Sequence, residues 1–396
     1  MAAVKKFSRG NFQPHEVPKA LNTIHRFIEA CPGSLRCLAK NFDTKEDSDM
    51  RNFTTRWIGM CVLLAAFVSP LCGEDVPSES PAPKGVAQIQ RQAQAMDSLV
   101  TTSVAKDFLR AAAELPAIPP PVLYRTADKT RYYRESELTD LTDSAREALQ
   151  RFPIDEEFYY MTKYGTPVAY VRSLEILGMN GVDSLGGKRV LDFGYGTVGH
   201  LRMMASLGAD AVGVDVDPLL PALYSEPGDQ GKVQGTAGPS GKVKLVHGRF
   251  PAEGNACAEV GVGFDLIISK NTLKNGYIHP AEPVDKRMLV DLGVEDELFV
   301  RSLHSALKPG GRVLIYNLCP APAAPGKKYI PWADGKSPFS KSLWESVGFR
   351  VISFDTDDSA AIRAMGRAFE WDKGESPMDL ENDLFAWYTL AEKPTK

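Results

Sequence analysis

The sequence predicts an α/β fold, a doubly wound, seven-stranded and mostly parallel sheet with a helical extension ahead of it. Two observations carry that expectation. From about residue 187 onward, short β-branched runs alternate with helical stretches. The runs show little polar and apolar alternation, as expected of strands buried on both faces. A glycine-rich turn follows the first run, where a sheet of this kind places its ligand.

The five runs are Arg189-Val190-Leu191-Asp192, Ala211-Val212-Gly213-Val214-Asp215, Val243-Lys244-Leu245-Val246, Phe264-Asp265-Leu266-Ile267-Ile268 and Arg312-Val313-Leu314-Ile315-Tyr316. The helical stretches between them make βαβ units with right-handed crossovers. Two further strands are expected, from Phe349 to Phe354 and from Leu384 to Leu390, the second closing the sheet as an antiparallel partner. The Gly/Pro-rich stretch 225–242 reads as a surface excursion and not as a strand.

The front of the chain reads differently. Residues 57–71, WIGMCVLLAAFVSPL, carry no charge. The run is about 15 residues, short of the ~20 that a spanning helix needs. Arg51 and Arg56 precede it, and Pro70, Cys72 and Gly73 follow it. A basic flank, a short apolar centre and a small-residue exit describe a signal peptide. Met50 stands as the expected start, which makes 1–49 a non-native extension. If Met1 is the start, 50–73 is a signal anchor with a cytoplasmic basic tail. Both versions export the remainder, secreted or periplasmic if cleaved and membrane-anchored if not. A buried core helix and a lipidated Cys72 are the competing readings. The expected division continues with a linker over 74–87, a helical accessory region over 88–155 and the sheet domain over 156–396. Within the accessory region a polar helical stretch runs from about Val86 to Leu115 and ends at Pro116 and Pro119–Pro121.

Composition narrows the function. The chain is 43% hydrophobic and 24% charged with a net charge of -4, so it has no basic footprint for duplex nucleic acid. Six cysteines are too few for a disulfide scaffold of this length, and none has zinc-ligand spacing, so no metal site is expected. Cys257 and Cys319 read as packing residues.

The turn after the first strand is Asp192-Phe193-Gly194-Tyr195-Gly196-Thr197-Val198-Gly199. By spacing alone it fits a dinucleotide fingerprint, with Asp215 about 20 residues on as the ribose acceptor. Asp192 argues against a pyrophosphate, because a carboxylate two residues ahead of the first glycine disfavours an anion. It suits a ligand with an ammonium group, a cation and a ribose diol.

On these residues the chain resembles the class I S-adenosylmethionine-dependent methyltransferases, which have a Rossmann-like fold. The resemblance covers roughly 160–392 and rests on VLDFGYGTVGH, VGVDVDP, FDLIISKN and LKPGGRVLIY, with LWESVGFRVISFD and DLFAWYTLAEK as the final strand pair. It implies S-adenosyl-L-methionine as cofactor. Asp192 then lies near its methionine end, and Gly194 and Gly196 make room for it. Asp215 accepts both ribose hydroxyls, while Asp217 assists or caps the next helix. Arg249 and Phe250 flank the adenine. Ser269, Lys270 and Asn271 fall where the fourth strand opens onto the transferred methyl. Tyr164 and Thr166, one helix ahead of the first strand, are implied lid contacts. Two positions depart from the family pattern. Val198 stands where glycine is common, and Arg249 stands where an acidic adenine partner is common. Bland alternatives stay open: Asp215 as a strand-end turn former, Ser269-Lys270-Asn271 as a plain polar loop.

Methyl transfer is an in-line displacement, so holding the nucleophile aligned is the main requirement and a general base is optional. Lys270, Tyr277 and His279, in SKNTLKNGYIHP, are the candidates for that base. The Asn/Asp-Pro-Pro-aromatic motif used on planar amino groups is absent after the fourth strand, as is an acidic magnesium cluster. The expected acceptor is a small molecule or a protein side chain, in a pocket shaped by 272–285 and 319–337. Two other functions compete: an exported, non-catalytic binder of the same cofactor, and an NAD-dependent oxidoreductase.

Overall fold

The computed structural model describes residues 84–119, 121–235, 238–374 and 376–395. The expected export segment at 57–71 and the extension before it lie outside the described residues. Among the described residues no helix is long and apolar enough to cross a membrane.

Three short strands come first: β1 (Val122–Arg125), β2 (Tyr132–Arg134) and β3 (Gln150–Pro153), an antiparallel sheet in the order β2-β1-β3. The main sheet holds β4 (Arg189–Phe193), β5 (Asp210–Asp215), β6 (Gly231–Val233), β7 (Gly241–His247), β8 (Phe264–Lys270), β9 (Leu307–Cys319), β10 (Arg350–Asp357) and β11 (Phe385–Glu392). Its order is β10-β11-β9-β8-β4-β5-β7-β6. The pairs β4–β5, β4–β8, β5–β7 and β8–β9 are parallel. β11 runs antiparallel between β9 and β10, so the final pair closes the sheet as expected.

Alternation along each strand builds two cores. Val190, Ala211, Val243, Leu266, Ile268 and Leu314 face one cluster, which also contains the N-terminal helices. Leu191, Val212, Val246, Ile267, Val313 and Ile315 face the other, beneath the helices Asp296–Ala306 and Lys341–Val347. A strand with apolar residues on both faces cannot show a polar period of two, which is why these runs read as uninterrupted.

The structure corrects the sequence expectation at one strand and extends it in one region. The stretch 225–242 contributes a strand after all, β6, paired antiparallel to β7 through Lys232 and Lys242. The strand begins at Gly231, at φ 88°, and lies on the outer edge of β7, where its three residues cover part of that edge. The accessory region is mixed rather than helical throughout, because β1, β2 and β3 fall inside it. These strands are three or four residues long and half-exposed, too short to show a period.

The predicted polar helix is divided into α1 (Val86–Met96) and α2 (Ser103–Arg110). The break lies at Thr101 and Thr102, whose backbone N–H groups and hydroxyls all donate to Glu175 of α3 (Val171–Met179), at 2.6 to 3.0 Å. Glu175 is buried, so its carboxylate helps fasten the N-terminal helices to the sheet domain, as Glu156 does by accepting from Val86 N at 3.0 Å.

Candidate functional site

From β4 the chain builds β5 and β7 on one side and then returns to build β8 and β9 on the other. The strand order therefore reverses at β4, and the carboxyl end of that strand is where a sheet of this kind binds its ligand. The glycine turn lies there. Gly194 and Gly196 adopt φ 79° and 56°, conformations that a residue with a Cβ disfavours. A Cβ on Gly194 would also strike the Thr272 hydroxyl, and one on Gly196 would lie 2.5 Å from the Tyr164 ring. Gly199 serves packing instead. A Cβ there would meet Pro167 at 2.9 Å, so the glycine lets the next helix, α4 (Gly199–Ser206), pack against the 160–167 segment.

Asp215 ends β5 with its side chain turned to this turn. Its carboxylate accepts from Gly196 N at 3.0 Å and from Asp217 N at 2.9 Å. Burial raises its carboxyl above the ordinary 3.8, against the pull of these two donors. Asp217 accepts from Leu219 N at 3.0 Å, as a helix cap does, and binds Lys163 Nζ at 2.9 Å. Burial opposes its ionisation, yet the Lys163 ammonium prevails and holds the Asp217 carboxyl below its ordinary value. Tyr164 donates its hydroxyl to Asp217 at 2.9 Å.

The backbone around Tyr164 is built to place it. Thr162 sits at φ 47° and ψ -144°, a region that costs a non-glycine residue on the order of 1–3 kcal/mol. Its hydroxyl donates to Gly196 O at 2.9 Å. The strained turn thus clasps the glycine turn and lays the Tyr164 ring across it. Thr166 does not share this place. Its hydroxyl accepts from Val168 N and caps the short helical turn Pro167–Tyr170.

Asp192 differs most from expectation. It is fully buried and does not line an accessible surface. Its Oδ2 accepts from the Tyr170 hydroxyl at 2.8 Å and lies 2.5 Å from His200 Nε2. The Tyr170 and His200 rings stack with centroids 3.6 Å apart. Burial lowers the His200 pKa from 6.5, the Asp192 charge opposing it, so the imidazole is neutral near pH 7. Tyr170 and His200 were missed in the sequence. The one available signal was a histidine on an apolar helical stretch, beside Leu201, Met203 and Met204.

At the end of β8 the expected residues divide. Ser269 is buried and donates to Phe193 O at 3.2 Å, tying β8 to β4. Asn271, at φ 65°, accepts from Leu318 N at 2.7 Å and so joins the β8 exit to β9. Lys270 is buried, with Nζ 5.4 Å from the Tyr170 ring centre. Tyr277 is half-buried under the Lys274 ammonium, 5.2 Å from its ring centre. His279 is exposed and bonded to Asp296 at 2.8 Å, on the outer side of its loop. Arg249 pairs with Asp291 at 3.2 Å rather than standing free to stack on a base. Phe250 is buried in the second core and contributes packing there.

A cavity of about 590 Å³ opens beyond Asn271, at the carboxyl end of β9. Most of its lining comes from the 319–336 stretch, with Phe385, Trp387 and Glu282, so the second of the two loops expected to shape an acceptor pocket forms most of it and the first contributes Glu282.

No protein-family model and no curated protein matches the chain. Solved structures to which the chain shows similarity include a putative sarcosine dimethylglycine methyltransferase from Galdieria sulphuraria, with 15% identity over 59% of this chain and 86% of that one, at a TM-score of 0.34. A phosphoethanolamine N-methyltransferase 2 from Haemonchus contortus, solved with S-adenosylhomocysteine, shares 14% over 73% of this chain and 74% of that one, at 0.35. An S-adenosylmethionine-dependent methyltransferase from Mesorhizobium loti shares 19% over 57% and 97%, at 0.31.

Proposed function

We propose that this chain binds S-adenosylmethionine at the β4 turn and transfers its methyl group to a small molecule or a protein side chain. The observation that supports this best is the position of Asp215. A carboxylate at the end of β5, oriented by Gly196 N, suits a ribose diol, which donates two hydrogen bonds. A carboxylate at this strand end accepts the ribose of a dinucleotide equally well, so titration with NAD is what separates the nicotinamide reading. The acceptors fit the cofactor: Asp215 and Asp217 stand beside the glycine turn, where Thr272 and Tyr164 fill the space over the two glycines.

When bound, S-adenosylmethionine supplies a methyl activated by an adjacent sulfonium. The residues of this chain position and shield. Asp215 holds the ribose, and Tyr164 covers the crevice. Lys270 and the Asn271 turn border the side from which an acceptor arrives. Lys270 keeps company with the buried Asp192 charge across the Tyr170 ring, so we assign it an electrostatic role ahead of that of a base. Export through 57–71 belongs to this proposal, and cell fractionation tests it.

A second reading has its own support. Tyr164 and Thr272 lie over the two glycines, as in a crevice that has been closed. A non-catalytic binder, or a relic, would tolerate that. Calorimetry of the full chain separates the cases. Micromolar binding of S-adenosylmethionine and S-adenosylhomocysteine, lost in Asp215→Ala, is expected. Binding of NAD alone would remove the proposal. Release of S-adenosylhomocysteine in a screen of candidate acceptors then distinguishes enzyme from binder.

A further inference from the structure

The cavity at the end of β9 has the size of one small-molecule site, about 590 Å³. Its walls are flat and stiff. Trp387 and Phe385 project from the start of β11, opposite Asn317 and Cys319 in the antiparallel register. Pro320, Pro322 and Pro325 also line it. Such walls suit a planar apolar body.

Charge decides what that body carries. The rim itself is balanced, with Lys327 and Lys336 against Glu282 and Asp334. Asp334 is already engaged by the Asn275 side-chain amide at 2.6 Å. Lys336 holds its ammonium 5.2 Å from the Trp387 ring centre. The imbalance lies just behind the wall. Lys274 is 4% exposed, and its Nζ donates to Leu318 O at 2.6 Å, one residue from the cavity-lining Cys319. Among the described residues its ammonium forms no ion pair with a carboxylate. Burial lowers the Lys274 pKa to about 8; the Cys319 thiol opposes that shift and the Lys270 charge adds to it. A buried cation with one carbonyl partner is short of negative charge, and an anion arriving beside it would relieve that shortage.

We propose that this cavity receives a flat organic anion, its ring against Trp387 and Phe385 and its carboxylate or oxyanion directed to Lys274 and Lys336. The proposal deepens the methyl-transfer reading by giving the acceptor a chemical class, and it rests on that reading only for the fate of the bound molecule. An acceptor held as its anion is already a nucleophile. That accounts for a site in which His279 is bonded to Asp296 and is not presented as a base.

The test uses the full chain with no nucleoside added, so its outcome is independent of whether a methyl is transferred. Benzoate, benzyl alcohol and benzylamine share a ring and differ in charge. Calorimetry near pH 7 should find benzoate bound at least tenfold more tightly than the other two. Lys274→Met should weaken benzoate at least tenfold, and Lys336→Gln more modestly. Because Lys274 is buried, thermal unfolding of the variant accompanies the titration. If that variant fails to fold, the Lys274 Cε resonance of the labelled wild-type chain replaces it: benzoate should raise the lysine's pKa by about one unit or more. Benzylamine binding as tightly as benzoate would overturn the proposal. So would the absence of benzoate binding, benzoate binding indifferent to Lys274→Met, or an unmoved Lys274 resonance.

Discussion

The Tyr164 hydroxyl donates to Asp217 Oδ2 at 2.9 Å while its ring lies across Gly196. One side chain thereby closes the glycine turn and occupies an acceptor of the crevice beneath it. A nucleoside reaching Asp215 has to move that ring. The hydrogen bond is solvent-exposed and contributes about 0.5–1.5 kcal/mol net to the closed state. Tyr164→Phe keeps the ring and removes the bond. Association of S-adenosylhomocysteine, followed by stopped flow, should quicken by about twofold to tenfold, since an open fraction that rises by this energy binds proportionally more often. An unchanged or slower rate would mean that Tyr164 does not gate the crevice.

The two glycines separate steric cost from backbone strain. In Gly196→Ala the new methyl meets the Tyr164 ring, and φ 56° is strained by about 1–2 kcal/mol. Adding Tyr164→Ala should restore the steric part and leave the strain. The double variant should therefore bind S-adenosylhomocysteine as Tyr164→Ala does, while its thermal unfolding shows it less stable than Tyr164→Ala by the remaining strain of about 1–2 kcal/mol. Full additivity of the two losses would place the ring elsewhere in solution.

Much of the sheet was legible because its strands are buried on both faces, a property the Arg189–Phe193 and Phe264–Lys270 segments carry in composition alone. The glycine turn and Asp215 were legible for a related reason, since backbone conformation and strand-end position are local. Asp192 was not. Its environment comes from Tyr170, 22 residues earlier, and His200, eight residues later, and only the packed helices bring those rings together. Arg249 likewise finds Asp291 across a loop. β6 was not legible because three edge residues, one of them a glycine, have no pattern to read. Sequence periodicity reports which face is buried. It does not report which polar groups meet inside.

Glu175 offers a test of how the N-terminal helices are held. Burial raises its carboxyl, and the donors on Thr101 and Thr102 outweigh that, leaving the pKa below 4.5. A depressed carboxyl contributes stability that is present above its unfolded value and lost as pH falls through the folded one. Urea unfolding should show wild-type stability falling below about pH 4.3. Glu175→Gln should be less stable at pH 7 by about 1–3 kcal/mol and show a flatter acid limb. An equal acid slope in both proteins would assign the fastening elsewhere.

The stacked pair Tyr170–His200 makes the last prediction. Burial holds the His200 pKa below 6.5, Asp192 acting in the opposite sense. The unfolded chain therefore takes up a proton that the folded chain refuses. The sign follows from linkage: stability is complete above about pH 6.5 and declines as pH falls toward the folded value. His304 also has a lowered pKa, through burial first and then Lys393, so it contributes to the same limb. Thermal unfolding between pH 7 and 5 distinguishes them. His200→Gln should flatten most of the decline, because His200 is fully buried, whereas His304→Gln should remove less, because His304 is half-exposed. Asp192→Ala should be more costly at pH 7 than either, about 3–5 kcal/mol, since it strips the shared acceptor from two buried donors at once. Combined with His200→Leu it should cost less than the sum of the two, as expected when one interaction is removed twice. A fully additive pair, with the acid limb unchanged in His200→Gln, would show that the buried carboxylate does not depend on the imidazole beside it.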